Sequence, residues 1–141
     1  LSRKLICRLE GRGLNHGSVE GYALCCPDSF DGWCGVNSDG IITEMGHVHE
    51  GECIDGKIIV VPGGRGSTGW SCHVTAVGVA GHGPAGWVLR RVDARVGVAL
   101  VTLGSPGVCE FPVDPFSVIC DGDWLRVNAD EGFVEVWREE N

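Results

Sequence analysis

Apolar positions along the chain come in short runs punctuated by glycine and proline, and only one stretch switches clearly from strand period to helix period. Residues 57–61 (KIIVV) form a β-branched run between Gly56 and Pro62, the pattern of a buried strand. After Gly63, Gly64 and Gly66, the residues Trp70, Val74 and Val77 recur at helical spacing, with Ala76 and Ala80 assigned to the same side. A helix is therefore expected to begin near Ser67. Residues 85–89 (AGWVL) read as a strand returning beside 57–61, and such a strand, helix, strand unit predicts parallel pairing with a right-handed crossover. Further strands are expected at 5–9, 19–26, 108–111, 125–128 and 133–137. Turns are expected at Gly11, Arg12 and Gly13, at Ser38, Asp39 and Gly40, and at 129–132. Residues 96–103 are again mainly apolar, and periodicity does not choose between helix and strand there. Arg90, Arg91, Asp93 and Arg95 read as a solvated charged turn. Residues 29–37 (SFDGWCGVN) form either a packed loop that buries Phe30 and Trp33 or a surface for a ligand or partner. The class that follows is α/β with β emphasis, one domain over residues 1–141.

The glycine turn between the central strand and the helix carries the chemistry. Gly63, Gly64 and Gly66 allow positive φ and close backbone approach, and Pro62 stops the strand. Strand, glycine turn, hydroxyl and helix in that order aim backbone N–H groups and the positive end of a helix dipole at whatever lies beside Ser67. That environment suits a carboxylate, a phosphate or a developing alkoxide. Helix capping alone needs one hydroxyl, whereas this turn offers Ser67, Thr68 and the Arg65 guanidinium, so an anion site is favoured over a bare cap. Gly64, Gly66 and Gly69 also spell GxGxxG, yet no acidic strand end follows about 20 residues on, which leaves a dinucleotide site a weak alternative. A phosphate-binding P-loop would need Lys and then Ser or Thr after Gly69. Trp70 and Ser71 stand there instead.

Charge and cysteine content narrow the partners. With 19 acidic and 11 basic residues the net charge is −8, which disfavours nucleic acid and anionic membrane surfaces. No apolar run approaches the ~20 residues of a membrane span, and charges interrupt the N-terminal LSRKLICRLEG, so a cytoplasmic location is expected. The eight cysteines contain no C-x-x-C pair, and most are expected to be core thiols; one or two disulfides would fit a hyperthermophile source. His47, His49 and Cys53 have ligand-like chemistry but no fourth ligand nearby, so no metal site is assigned.

The blocks GxVEGYAL, SFxGxxGVNSDGII, HxxxGExIDGKIIVVPGGRGSTGW and NADEGFVEV together resemble the small, swivelling subunit of the aconitase-X family of dehydratases. The resemblance spans nearly the whole chain, and its most specific part is the PGGRGST turn. It implies a swivelling β/β/α domain whose β-rich body carries the strand, glycine turn and helix. It also implies a separate large subunit holding an iron–sulfur cluster, of 4Fe-4S type, on its own cysteines, with this chain contributing no metal ligand. By motif, Ser67 is the serine that the small subunit supplies as catalytic base, and Gly64, Arg65, Gly66 and Thr68 are substrate contacts. The family's substrates are small anionic hydroxy acids, phosphomevalonate in an archaeal mevalonate route and cis-3-hydroxyproline in bacterial proline catabolism. The closing DEGFVEV resembles the archaeal type. A swivelling domain that binds an anion or partner without catalysis is the reading of a different class. Two departures from the family pattern stand out: the altered order of aromatic and glycine residues at 30–37, and Gly69, Trp70 and Ser71 after the turn.

Overall fold

The computed structural model of the protein describes residues 2–31, 35–67, 69–91 and 93–140. Three strands, β1 (Arg3–Glu10), β2 (Arg12–Leu14) and β3 (Ser18–Cys25), precede β4 (Ile58–Val61), helix α1 (Gly69–Val79), β5 (Gly86–Leu89) and helix α2 (Ala94–Leu103). Strand β6 (Gly107–Cys109), one turn of 3-10 helix (Pro115–Ser117), β7 (Trp124–Asn128) and β8 (Phe133–Glu139) complete the chain. The strands form one sheet of order β1-β8-β7-β3-β4-β5-β6-β2. Its β1, β8, β7 and β3 each pair antiparallel with the next, whereas β3, β4, β5 and β6 run parallel. Pairing of β4 with β5 in parallel, Ile58 opposite Gly86 through Val61 opposite Leu89, is as the sequence predicts.

Packing explains why β4 is an unbroken apolar run. All four of its side chains have no exposure, because the strand is covered on both faces. Ile58 and Val60 point into a core shared with Val88, Val108, Leu125, Val127, Val134 and Val136, between the two halves of the folded-over sheet. Ile59 and Val61 point the other way, against Trp70, Val74 and Val77 of α1 and Val96, Ala99 and Leu100 of α2. The result is the expected sheet, sheet and helix layering, with the glycine turn at the carboxyl end of β4.

Several local expectations are corrected. Gly11 is not in a simple turn with Arg12 and Gly13. It is the single residue between the two edge strands of the sheet, and Arg12–Leu14 pairs antiparallel with β6. The crossing demands glycine: a Cβ on Gly11 would lie 2.5 Å from the Cys109 carbonyl oxygen, and one on Gly13 1.7 Å from the Ala129 carbonyl oxygen. In α1 the buried residues are Trp70, Val74 and Val77 as expected, but Ala76, off the 3.6-residue stripe, and Ala80, just beyond the last helical residue, are exposed. Gly78 instead meets α2, where a Cβ would come within 2.4 Å of Leu103 Cδ2. The ambiguous 96–103 run is helical because it has both ends of a helix. Asp93 caps it by accepting from the Arg95 and Val96 N–H groups, and Gly104 closes it at φ 68°. Beyond these, Ile41 and Ile42 make isolated bridges, Ile42 with Val36 and Ile41 with Cys53.

Candidate functional site

Residues 62–67 leave β4 as a turn that no sheet ladder holds, and helix α1 starts two residues beyond Ser67. Ser67 is exposed; its Oγ accepts from the Gly69 N–H at 3.3 Å and its carbonyl from the Trp70 N–H at 3.1 Å. The hydroxyl therefore sits at the start of the helix, on its positive end. Gly66 needs its glycine, because φ is +87° there. Gly64 is half-buried, Arg65 and Gly66 are exposed, and Thr68 lies outside the described residues. The four described residues assigned to the site, Gly64, Arg65, Gly66 and Ser67, thus form one continuous arm.

Two acidic residues hold this arm from opposite sides, and sequence reasoning missed both. Glu44 pairs with Arg65 and accepts the Asp31 N–H at 2.7 Å, while Asp31 and Arg65 form a parallel bridge. Burial pushes the Glu44 carboxyl up, but Arg65 and the Asp31 N–H outweigh it and hold it below the usual range. On the other side Asp93 lies against Gly63, where a Cβ would be 2.8 Å from its Oδ2. Burial again raises this carboxyl, and the bonds from Arg95 and from the Val96 and Gly64 N–H groups more than reverse it. Asp93 and Arg95 are therefore not the solvated turn that the run of charges suggested. An aspartate just before an apolar stretch is a cap signal, so Asp93 could have been read as one; Glu44 has no local signature, since its partners lie 13 and 21 residues away.

The start of the 29–37 loop joins the same face. Phe30 is fully buried and stacks on Trp70 with ring centroids 5.4 Å apart, and Trp70 Nε1–H donates to the Phe30 carbonyl at 3.0 Å. Phe30 is thus a core plug that places Asp31 beside Arg65; Trp33 and Cys34 lie outside the described residues. A hollow of about 200 Å³ opens next to the arm, lined by Asp28, Glu44, Gly46, His47, Val48 and Arg65.

The histidines at 47 and 49 are engaged in structural bonds. His47 Nε2 bonds the Ser29 carbonyl at 2.8 Å, and its Nδ1 accepts the His49 N–H at 2.9 Å. Both ring nitrogens of His49 face acceptors: Nδ1 meets Glu52, and Nε2 lies 3.0 Å from both the Cys25 carbonyl and Asp121 Oδ1. Burial opposes a charge on this ring, but those acceptors prevail and the pKa is raised. Cys7, Cys25, Cys26, Cys53, Cys72, Cys109 and Cys120 are free thiols. Cys25, Cys26 and Cys109 are buried, and burial pushes their thiols up, that of Cys26 to about 12. Cys72 and Cys120 are exposed, against the expectation of core thiols. Among the described residues no group of three or more His, Cys, Asp or Glu is arranged to hold a metal ion, so these residues do not fit an iron–sulfur cluster. No helix among them is long and apolar enough to cross a membrane.

Comparison with known proteins matches residues 8–136 to the aconitase X swivel domain. The chain is 31% identical to the phosphomevalonate dehydratase small subunit of Methanococcoides burtonii over 92% of its own length and 95% of that protein's. It is 34% identical to the protein of the same name from Pyrococcus furiosus, with the same coverage. A crystal structure of holo-form aconitase X from Thermococcus kodakaraensis superimposes with a TM-score of 0.84 at 29% identity, covering 92% of this chain and 98% of that one.

Proposed function

The chain belongs to the aconitase X swivel-domain family, and on that premise we propose that it is the small subunit of a hydro-lyase that dehydrates (R)-5-phosphomevalonate to trans-anhydromevalonate 5-phosphate. The observation that carries this reading is the exposed Ser67 hydroxyl at the end of an arm anchored on both sides and set against a helix start. Dehydration of a β-hydroxy acid removes the proton beside the carboxylate and expels the hydroxyl. Ser67, as alkoxide, takes that proton, the C–H electron pair forms the double bond, and the C–O pair leaves with the hydroxyl, which a proton from solvent converts to water. A serine hydroxyl is far too weak an acid to ionise in water. The α1 dipole and the backbone donors of the turn are what this chain offers to stabilise the alkoxide. Gly64, Arg65, Gly66 and Thr68 are the contacts proposed for the anionic substrate, with Glu44 fixing the direction of the Arg65 guanidinium.

The names of the relatives are those of a small subunit, so a larger partner is part of this proposal. The same proposal places an iron–sulfur cluster on that partner, where it would supply a Lewis acid for the departing hydroxyl. Support for the substrate comes from the relatives' names and from the closing DEGFVEV, which resembles the family's archaeal type.

The test is Ser67→Ala in the complex reconstituted with its large subunit. Turnover should fall by ~10² or more, while the loss of a capping hydroxyl costs about 0.5–2 kcal/mol of stability, which the fold should survive. Thr68→Val should weaken affinity more than turnover. Near-normal turnover by Ser67→Ala in an assembled complex would place the base elsewhere.

A further inference from the structure

We propose that Asp93 and Arg95 are a positioning pair that sets the conformation of the glycine arm and, through it, the place of the Ser67 hydroxyl; the catalytic part of this inference rests on the function proposed above. The arm leaves β4 without ladder partners, so its shape must be fixed from outside. The first turn of α2 does this at both ends of Arg65. Asp93 packs against Gly63 and Gly64, where added Cβ atoms would lie 2.8 and 3.3 Å from its carboxylate oxygens, and Arg95 Nη1 donates to the Gly66 carbonyl at 2.6 Å, one residue before Ser67.

The pair is itself rigid. Arg95 Nε and Nη2 reach Asp93 Oδ1 and Oδ2 at 3.3 and 3.0 Å, a two-point contact that fixes the guanidinium plane and leaves Nη1 aimed at Gly66. Asp93 has a side-chain exposure of 9% and also accepts the Arg95 and Val96 N–H groups at 2.9 and 3.3 Å, so the carboxylate is locked to the helix it caps. The arm has glycine where the pair approaches. A Cβ on Gly63 would collide with Asp93, and one on Gly64 would lie 3.0 Å from Arg95 Cβ. Capping α2 explains Asp93 alone. It does not explain why Arg95 turns back along the carboxylate to reach a carbonyl 29 residues away. With Nε, Nη1 and Nη2 all engaged by the protein, Arg95 acts through the arm instead of reaching substrate.

The experiment uses the complex with the large subunit and compares Arg95→Met, Arg95→Lys and Ser67→Ala, singly and combined. Arg95→Met should lower kcat roughly tenfold with KM changed less than about twofold, and Arg95→Lys should recover part of the loss by restoring a donor to Gly66. On the Ser67→Ala background, Arg95→Met should cost nothing further, because its effect passes through Ser67. A raised KM at unchanged kcat, or an equal loss on the Ser67→Ala background, overturns the positioning role. If Ser67→Ala itself turns over normally, the base assignment has failed, and the clamp is judged by amide hydrogen exchange in the full chain. Arg95→Met should then speed exchange at residues 63–67 about tenfold without changing that of the core strands, and unchanged exchange overturns the clamp.

Discussion

Trp70 and Trp87 make a matched pair for measuring one hydrogen bond. Both are essentially fully buried, in one core and 5.9 Å apart between ring centroids. Trp70 Nε1–H donates to the Phe30 carbonyl at 3.0 Å, whereas Trp87 Nε1 has no hydrogen-bond partner among the described residues. Replacing either by Phe trims the indole in the same way, and that shared loss of buried surface and packing costs about 1–2 kcal/mol. The polar consequences have opposite sign. Trp70→Phe strips a buried carbonyl of its donor, an added cost of about 1–3 kcal/mol. Trp87→Phe removes an orphaned donor and recovers a similar amount. The two variants should therefore differ by roughly 2–6 kcal/mol, with Trp87→Phe close to wild type and Trp70→Phe losing a large share of a total that is only about 5–15 kcal/mol. Urea unfolding monitored by fluorescence and circular dichroism gives both values, provided the m-values agree. Equal losses, or a greater loss for Trp87→Phe, would show that the Trp70–Phe30 bond does not hold the loop to the helix.

Two further outcomes follow from the helix pair and from His49. Gly97, in mid-helix with no neighbouring atom within 4 Å of where an alanine methyl would sit, should accept alanine with a gain of about 0.5–1 kcal/mol, while Gly78→Ala should lose stability because Leu103 must move; thermal melting of both variants decides it. His49 has a raised pKa in the folded state, so the stability it contributes is complete below its unfolded value of about 6.5 and is lost as pH rises through the higher folded value. Stability should fall across that window with a slope of at most about 1.4 kcal/mol per pH unit, read as a falling melting temperature, and His49→Gln should flatten it.

Legibility in the sequence followed the range of the interactions. The β4, glycine turn, α1 and β5 unit was readable because period, breakers and hydroxyls all lie within one short segment, and the family resemblance pointed to the same turn. The helical state of residues 96–103 was not readable from period, since Val96, Ala99 and Leu100 are buried among further apolar residues. Its capping pair, Asp93 and Gly104, carried the answer. The β2 strand was hidden because Arg12, Gly13 and Leu14 have no strand propensity to speak of; pairing with β6 imposes it. At the site, the arm was legible and its supports were not. Glu44 and Arg95 act on residues 21 and 29 positions away, distances over which local patterns carry no information.

The pairing of Arg3 with Glu139 also constrains the order in which the molecule can be made. Of the strands in the sheet β1 emerges first during synthesis and its neighbour β8 last, so the sheet stays open until β8 has left the ribosome. The parallel unit from β3 to β6 can assemble earlier, yet the edge of β3 that later meets β7 must wait exposed. Such distant pairing makes for slow folding, and an unpaired edge invites association with other nascent chains. Strand β1 begins Arg-Lys and carries Arg8 and Glu10, side chains that keep the waiting edge hydrated and discourage that association until β8 arrives.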